Sequence, residues 1–272
     1  MIKIFRIIVC IKQVPGTTEI KINPETNTLI REGVETIINP FDLYAIEEGV
    51  ALKERMLEAE PDGEFEVVAI TMGPPQAESA LREAIALGID RAVLLSDRVF
   101  AGADTWATAL TLRNAVRRFK EWNLIIFGKQ TLDGDTGQVG PELAHLLNIP
   151  FIGYASSVEE IKKNRITVKR LSEDRYETFE IKIPAAISVG KDINLPRVPS
   201  LRGKLKAKNE QIPVWTASDI GVEENDAGLA GSFTQVIKIF TPKHEYEVKM
   251  IEGNSEEQSD ELFKKLRELN LV

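Results

Sequence analysis

The feature that most constrains this chain is the alternation of short runs rich in Val, Ile and Leu with segments of helical period. Lys3 to Cys10, Phe65 to Thr71, Ala92 to Ser96 and Asn123 to Phe127 have strand length and β-branched composition. Helical patterns separate them, each with its own start signal. Asn39-Pro40 places a capping residue before a proline at the first helical position, and Ala45, Val50, Leu52 and Met56 carry an apolar stripe to about Leu57. Pro74-Pro75 precedes a second helix that ends near Gly88, and Asp104 caps a third built on Ala107, Leu110, Leu112 and Val116. Strands alternating with helices predict an α/β fold with a doubly wound, mostly parallel sheet.

The pattern changes after Pro150. Arg165 to Arg170 and Glu177 to Lys182 alternate in polarity around Leu-Ser-Glu-Asp-Arg, which predicts an antiparallel hairpin at the sheet's edge. From Gly190 to about Gln235 the chain is rich in Pro, Gly and polar residues, too long for an ordinary connection and therefore expected to bind something. Helical character returns at the end, where Ser255 and Gln258 have capping-box spacing and Leu262, Phe263, Leu266 and Leu269 form a stripe. The expected organisation is an α/β domain over 1–190, a binding loop and extended linker over 191–235, and a C-terminal arm with an amphipathic helix over 236–272.

Bulk properties exclude several classes. A chain of 272 residues with 43% hydrophobic content can bury a substantial core. Its apolar runs, such as Ile7 to Ile11 and Leu124 to Phe127, fall far short of the roughly 20 residues that span a bilayer. The first residues interleave charge with apolar side chains, unlike a signal peptide, so the cytoplasm is the expected compartment. A single cysteine, Cys10, cannot form an internal disulfide or hold an iron–sulfur cluster alone. The net charge of -8 opposes binding to nucleic acid.

The chemistry concentrates in Phe127-Gly-Lys-Gln-Thr-Leu-Asp-Gly-Asp-Thr-Gly-Gln-Val-Gly-Pro141, which leaves a buried strand and enters a helix. Ligands of open α/β sheets bind at such strand ends, and a helix start preceded by Gly134, Gly137 and Gly140 presents N–H groups to phosphate. Lys129 adds positive charge. The same residues also suit a solvated Gly/Asp turn. Cys10-Ile-Lys12, Asn39-Pro40-Phe41-Asp42, Met72-Gly73 and Gly102-Ala-Asp104-Thr105 each follow a strand or start a helix on what should be the same edge. Singly, each reads as a cap or turn; together they predict a nucleotide crevice. Neither G-x-G-x-x-G nor G-x-x-x-x-G-K-[ST] is present. Asp133, Asp135 and Glu142 admit a metal site, although carboxylates at a helix start are more often caps. His145 reads as a helix-surface residue and His244 as a loop residue, and no partnered Ser or Cys nucleophile is visible.

Five segments in register resemble the beta subunit of electron transfer flavoproteins: Val9-Cys-Ile-Lys-Gln-Val-Pro15, Ile38-Asn-Pro-Phe-Asp42, Thr71-Met-Gly-Pro74, Ala84-Ile-Ala-Leu-Gly-Ile-Asp-Arg91 and Gly128-Lys-Gln-Thr-Leu-Asp-Gly-Asp135. The resemblance implies an electron-carrying complex in which this subunit holds AMP and an alpha subunit holds FAD. It places nucleotide contacts at Cys10, Asn39 to Asp42, Met72 and Gly128 to Val139, including Gln130, Thr136 and Gln138. Asp135-Thr-Gly-Gln-Val-Gly-Pro141 and Phe100-Ala-Gly-Ala-Asp-Thr-Trp106 look like the electron-bifurcating branch. That branch implies a second FAD in place of AMP, NADH as hydride donor, and electrons parted between the alpha-subunit FAD with a flavin-dependent dehydrogenase and a low-potential acceptor such as ferredoxin. The alternatives are a structural AMP in the same family, or a free-standing adenine-nucleotide sensor.

The resemblance also implies a loop that docks a dehydrogenase through an exposed leucine, at Leu201 here. Lys191, Arg197, Arg202, Lys204, Lys206 and Lys208 surround it with positive charge, and Leu195, Pro196 and Pro199 add apolar surface. The C-terminal arm is expected to embrace the alpha subunit.

Overall fold

In the computed structural model, β1 (Phe5–Cys10) lies within the parallel part of a large sheet, between neighbours paired on either side, and its later residues are buried on both faces. The structure describes residues 4–16, 35–162, 164–237 and 248–272; the beginning of the first predicted strand at Lys3 and His244 lie outside these. Two units divide the chain, one ending at Ile237 and one starting at Lys238.

Within the first unit, β2 (Gln13–Pro15) and β3 (Thr36–Ile38) form a small antiparallel ribbon that leads into α1 (Pro40–Ala59). Then follow β4 (Phe65–Met72), α2 (Glu78–Ala86), β5 (Arg91–Leu95), α3 (Thr105–Arg118), β6 (Leu124–Gly128) and α4 (Val139–Leu147). After these come β7 (Phe151–Lys162), the hairpin β8 (Arg165–Leu171) and β9 (Tyr176–Lys182), and β10 (Ala185–Val189). The nine-stranded sheet is completed by β11 (Val214–Trp215) and has the order β11-β5-β4-β1-β6-β10-β7-β8-β9. All pairs from β11 to β7 are parallel, whereas β8 and β9 are antiparallel and make the predicted edge.

Alternation along each strand explains why these runs are almost wholly apolar. Ile7, Val9, Leu124 and Ile126 point into a core beneath α1 and α2, while Ile8, Cys10, Ile125 and Phe127 point into a second core beneath α3 and α4. A sheet covered by helices on both faces leaves no polar side to its central strands. Because β4 and β5 lie on one side of β1 and β6 and β10 on the other, the direction of winding reverses between β1 and β6. That reversal opens a crevice at the strands' carboxyl ends, where ligands of such sheets bind.

The residues expected as docking loop and linker carry regular structure. Helix α5 (Leu201–Asn209) is capped by the Ser200 side chain and buries Ala207, and Gly203 sits so close to Ala86 of α2 that a Cβ would meet its carbonyl. Arg82 holds its end through the carbonyls of Ala207 and Glu210. Strand β11 then joins the sheet beside β5, and α6 (Ala217–Ile220) follows with a complete capping box. A two-residue strand and a lysine-rich helix carry too little periodicity to stand out among Pro and Gly.

The second unit holds α7 (Ser255–Glu268). Its capping box is Asn254 with Glu257, one residue before the predicted Ser255 and Gln258. The Asn254 side chain accepts from the N–H groups of Glu256 and Glu257, so the helix begins at the better cap.

Candidate functional site

Where β1 and β6 part, a carboxylate sits between them. Asp42, in the first turn of α1 and only 4% exposed, accepts the Lys12 N–H at 2.7 Å, and its Oδ1 packs against Gly128, 2.3 Å from where a Cβ of that residue would stand. Gly128 can have no side chain here, since a Cβ would lie 2.7 Å from the Phe41 carbonyl carbon and 2.9 Å from the Asp42 nitrogen. Burial raises the Asp42 carboxyl to about 7, against the pull of the Lys12 N–H bonded to it and of the neighbouring Asn39 amide and Gly128 main chain.

Asn39 precedes α1 as the sequence predicts, yet its side chain makes no capping bond. Wholly buried, it crosses to the glycine-rich loop, giving Nδ2–H to the Gln130 carbonyl at 2.9 Å and accepting the Leu132 N–H at 3.2 Å. Its own N–H bonds to the Lys12 carbonyl. The Lys12 ammonium in turn reaches both oxygens of Asp133, at 2.9 and 2.7 Å. Burial opposes ionisation of Asp133, but the bond to Lys12 and its charge outweigh that and hold the carboxyl below its ordinary range. The loops after β1 and before α1 thus brace the loop after β6 at three points.

Within that loop the Gln130 amide donates to Asp135, which has a left-handed φ of 53°, and Gly137 takes φ 62°. Gly134, Thr136 and Gln138 are exposed, and the loop ends in the first turn of α4 at Val139. Such a helix start suits a phosphate, with Lys129 and Lys12 supplying positive charge. Asp133 and Asp135 have separate partners, and Glu142 bonds to Thr105 Oγ1 at 3.0 Å, so the three do not form a cluster.

The other predicted contacts lie on the same edge but make other bonds. The Cys10 thiol is buried, and burial followed by the charge of Asp42 pushes it up, leaving an unreactive thiol. Met72 packs against the α3 and α4 core, and the Gly73 N–H bonds to the Leu95 carbonyl. Asp104 caps α3 through the Ala107 N–H and also accepts from the N–H groups of Phe233 and Thr234 and the Thr234 hydroxyl. Gly102 faces Leu229. Thr105 links α3 to Glu142, whose carboxyl is raised by burial and then by the charge of Asp104.

A cavity of about 370 Å³ adjoins the loop, lined by Phe41, Lys129, Tyr154, Ser156, Lys191 and Asp192 among others. The Lys129 ammonium stands 4.8 Å from the Phe41 ring centre. Tyr154 carries φ 60° at an irregularity in the β7 and β10 pairing, a strained conformation for a bulky residue that turns it out to solvent. Sequence reasoning did not single out Tyr154; a tyrosine after Gly153 gives no sign of it.

Leu195 is 88% and Leu201 77% exposed, and Val198 and Leu205 are exposed as well. Two of the six cations expected around them turn inward. Arg197 is bound by Glu47 and Glu54, and Lys206 donates to the carbonyls of Ile89 and Asp90. Arg202, Lys204 and Lys208 form no ion pair among the described residues.

Comparison with known proteins agrees with this arrangement. The model of the electron transfer flavoprotein domain matches residues 26–220. The electron transfer flavoprotein subunit beta of Thermoanaerobacterium thermosaccharolyticum is 43% identical over 267 residues, covering 98% of this chain and 99% of that protein. The caffeyl-CoA reductase-Etf complex subunit CarD of Acetobacterium woodii is 42% identical over 268 residues, covering 98% of this chain and 100% of its own. Protein FixA of Bradyrhizobium diazoefficiens is 43% identical over 242 residues, covering 86% and 82%. No helix among the described residues is long and apolar enough to cross a membrane. With the parallel sheet, its braced crevice and these full-length similarities in place, the chain belongs to the beta subunits of the electron transfer flavoproteins.

Proposed function

We propose that this subunit binds FAD at the crevice between β1 and β6, takes hydride from NADH there, and divides the electrons. One path leads to the FAD of an alpha subunit and a flavin-dependent dehydrogenase, the other to ferredoxin. When bound, the flavin supplies the redox chemistry; the protein supplies placement and charge. Loop 128–139 and the start of α4 would hold the phosphates, with Lys129 and Lys12 opposing their charge. Asn39, Asp42 and Asp133 would keep that loop in place. Leu195 and Leu201, beside Arg202, Lys204 and Lys208, would dock the dehydrogenase.

The observation that carries this reading is the position of Lys129, which belongs both to the phosphate-type loop and to the wall of the adjoining cavity. A ligand held at the loop therefore has aromatic and cationic surface beside it, more than an adenylate alone requires. The full-length similarity to a subunit of a caffeyl-CoA reductase complex supports the electron-transfer setting.

The test is the cofactor content of the complex purified with its native partner, released by denaturation and separated by chromatography. Two FAD and no AMP per heterodimer are expected. One FAD with one AMP would make this chain a structural and docking subunit, and a stable monomer that binds AMP or ATP but no flavin would make it a nucleotide sensor.

A further inference from the structure

We infer that Asp42 is the positioning residue of the crevice: its ionised carboxylate ties the loop leaving β6 to the loop leaving β1, so that nucleotide affinity depends on its charge without its touching the ligand. This rests on the nucleotide reading of the crevice given above.

The geometry carries the inference. The carboxylate stands where two parallel strands separate: one oxygen accepts the Lys12 N–H at 2.7 Å beyond β1, and the other packs against Gly128 at the end of β6, 2.3 Å from the place of a Cβ there. Both contacts are to main chain, so they fix backbone rather than side chains. Gly128 is the first residue of the glycine-rich loop, and Lys12 carries the ammonium that binds Asp133 farther along it. Displacing the carboxylate would therefore loosen Gly128 and the Lys12 main chain together, leaving Asn39 as the loop's remaining brace. Protonation converts one of its oxygens to a donor that faces an N–H, and that bond is lost.

The groups facing the carboxylate set its response to pH. From β1 comes the Cys10 thiol, held neutral by burial. Lys12 follows, its ammonium engaged by Asp133, and from the helix start comes the uncharged Asn39. From the β6 side comes the uncharged Gly128 main chain, and the Lys129 ammonium lies over Phe41. With so little nearby positive charge, burial leaves the carboxyl titrating at about 7. If binding requires the ionised form, a proton that must leave a group titrating near 7 weakens binding about tenfold at pH 6, with little effect at pH 8.

The experiment is FAD titration into the full-length chain between pH 6 and pH 8, together with the amide proton shifts of Lys12 and Gly128 over the same range. FAD is the probe because its pyrophosphate does not titrate there. Wild type is expected to lose about tenfold in affinity toward pH 6, and both amides to move with one midpoint near 7. Asp42→Asn should abolish both pH dependences. A flat wild-type affinity, or a slope retained in D42N, overturns the inference. If wild type binds neither FAD nor AMP at any pH, the nucleotide reading fails by itself, and the amides still decide on Asp42: a shared titration supports the tie, and none refutes it. Should D42N not fold, the wild-type titrations alone decide by the same two outcomes.

Discussion

Replacing Asn39 by alanine tests the brace at its most buried point. The Asn39 side chain is fully inaccessible and makes two bonds to one loop, to the Gln130 carbonyl at 2.9 Å and from the Leu132 N–H at 3.2 Å. Alanine removes both. The groups left behind belong to a loop with partial access to water, since Leu132 is 55% exposed, so they can be rehydrated once the loop shifts. Each lost bond is then worth about 1 kcal/mol, nearer the net value of a hydrogen bond than the full penalty of a buried orphan. About 2 kcal/mol in total should lower Tm by roughly 4–8 °C in a chain of this size. Thermal unfolding of the full-length chain, followed by far-ultraviolet circular dichroism, measures it. AMP and FAD affinity should fall as well on the proposed reading, in which the released loop holds the phosphates. Asn39→Asp should be worse, since it keeps the acceptor, loses the donor and buries a second negative charge beside Asp42. A Tm loss in N39A below about 1 °C would refute the reasoning, because it would mean that the loop holds its place without Asn39.

Four further outcomes follow from the same geometry. Gly128→Ala puts a Cβ against the main chain of Phe41 and Asp42, and should cost about 1–3 kcal/mol in denaturant unfolding while weakening nucleotide binding. Asp133→Asn should change stability at pH 7 by no more than about 1 kcal/mol, since the pair with Lys12 is half exposed. Because the Asp133 carboxyl is held low, its contribution is present at neutral pH and lost as pH falls below about 4, so wild type and D133N should converge in acid. Asp104→Ala removes the acceptor of four donors and should expose residues 232–237 to limited proteolysis before any global unfolding. Leu201→Glu should leave Tm unchanged, because the side chain is 77% exposed, yet slow electron transfer to the dehydrogenase; an unchanged rate would remove Leu201 from the docking surface.

The sheet was legible because its signal is local. A strand such as β6, buried on both faces, must be apolar at every position, and Leu124 to Phe127 announce that within four letters. Strand β11 was not legible, because its two residues, Val214 and Trp215, are placed by partners far away in sequence: both pair with Leu94 and Leu95, and the Trp215 ring packs against Phe119 and Arg118. The site divides along the same line. Asn39 and Asp104 both read as helix caps, and both do precede helices, but only Asp104 caps; Asn39 bonds to residues more than ninety positions away. Asn and Asp have the same letters whether they bond to the next turn or across the molecule, so spacing alone cannot separate the two roles.

The bonds also explain why the crevice has no familiar phosphate signature. Asn39, Asp42 and Asp133 all direct their polar atoms at the protein itself, to Gln130 and Leu132, to Lys12 and Gly128, and to the Lys12 ammonium. Since the N–H groups of Lys129, Leu132 and Asp135 are bonded within the protein, what the crevice would offer an anion on the proposed reading is the remaining main-chain N–H of loop 129–138 and the first turn of α4, with lysines at its margin. Main chain is common to every residue and leaves no letter in the sequence. Such a site is therefore specified by the residues that shape its loop rather than by those that meet the ligand, and substitutions in the brace should alter affinity more than substitutions of the exposed Thr136 or Gln138 side chains.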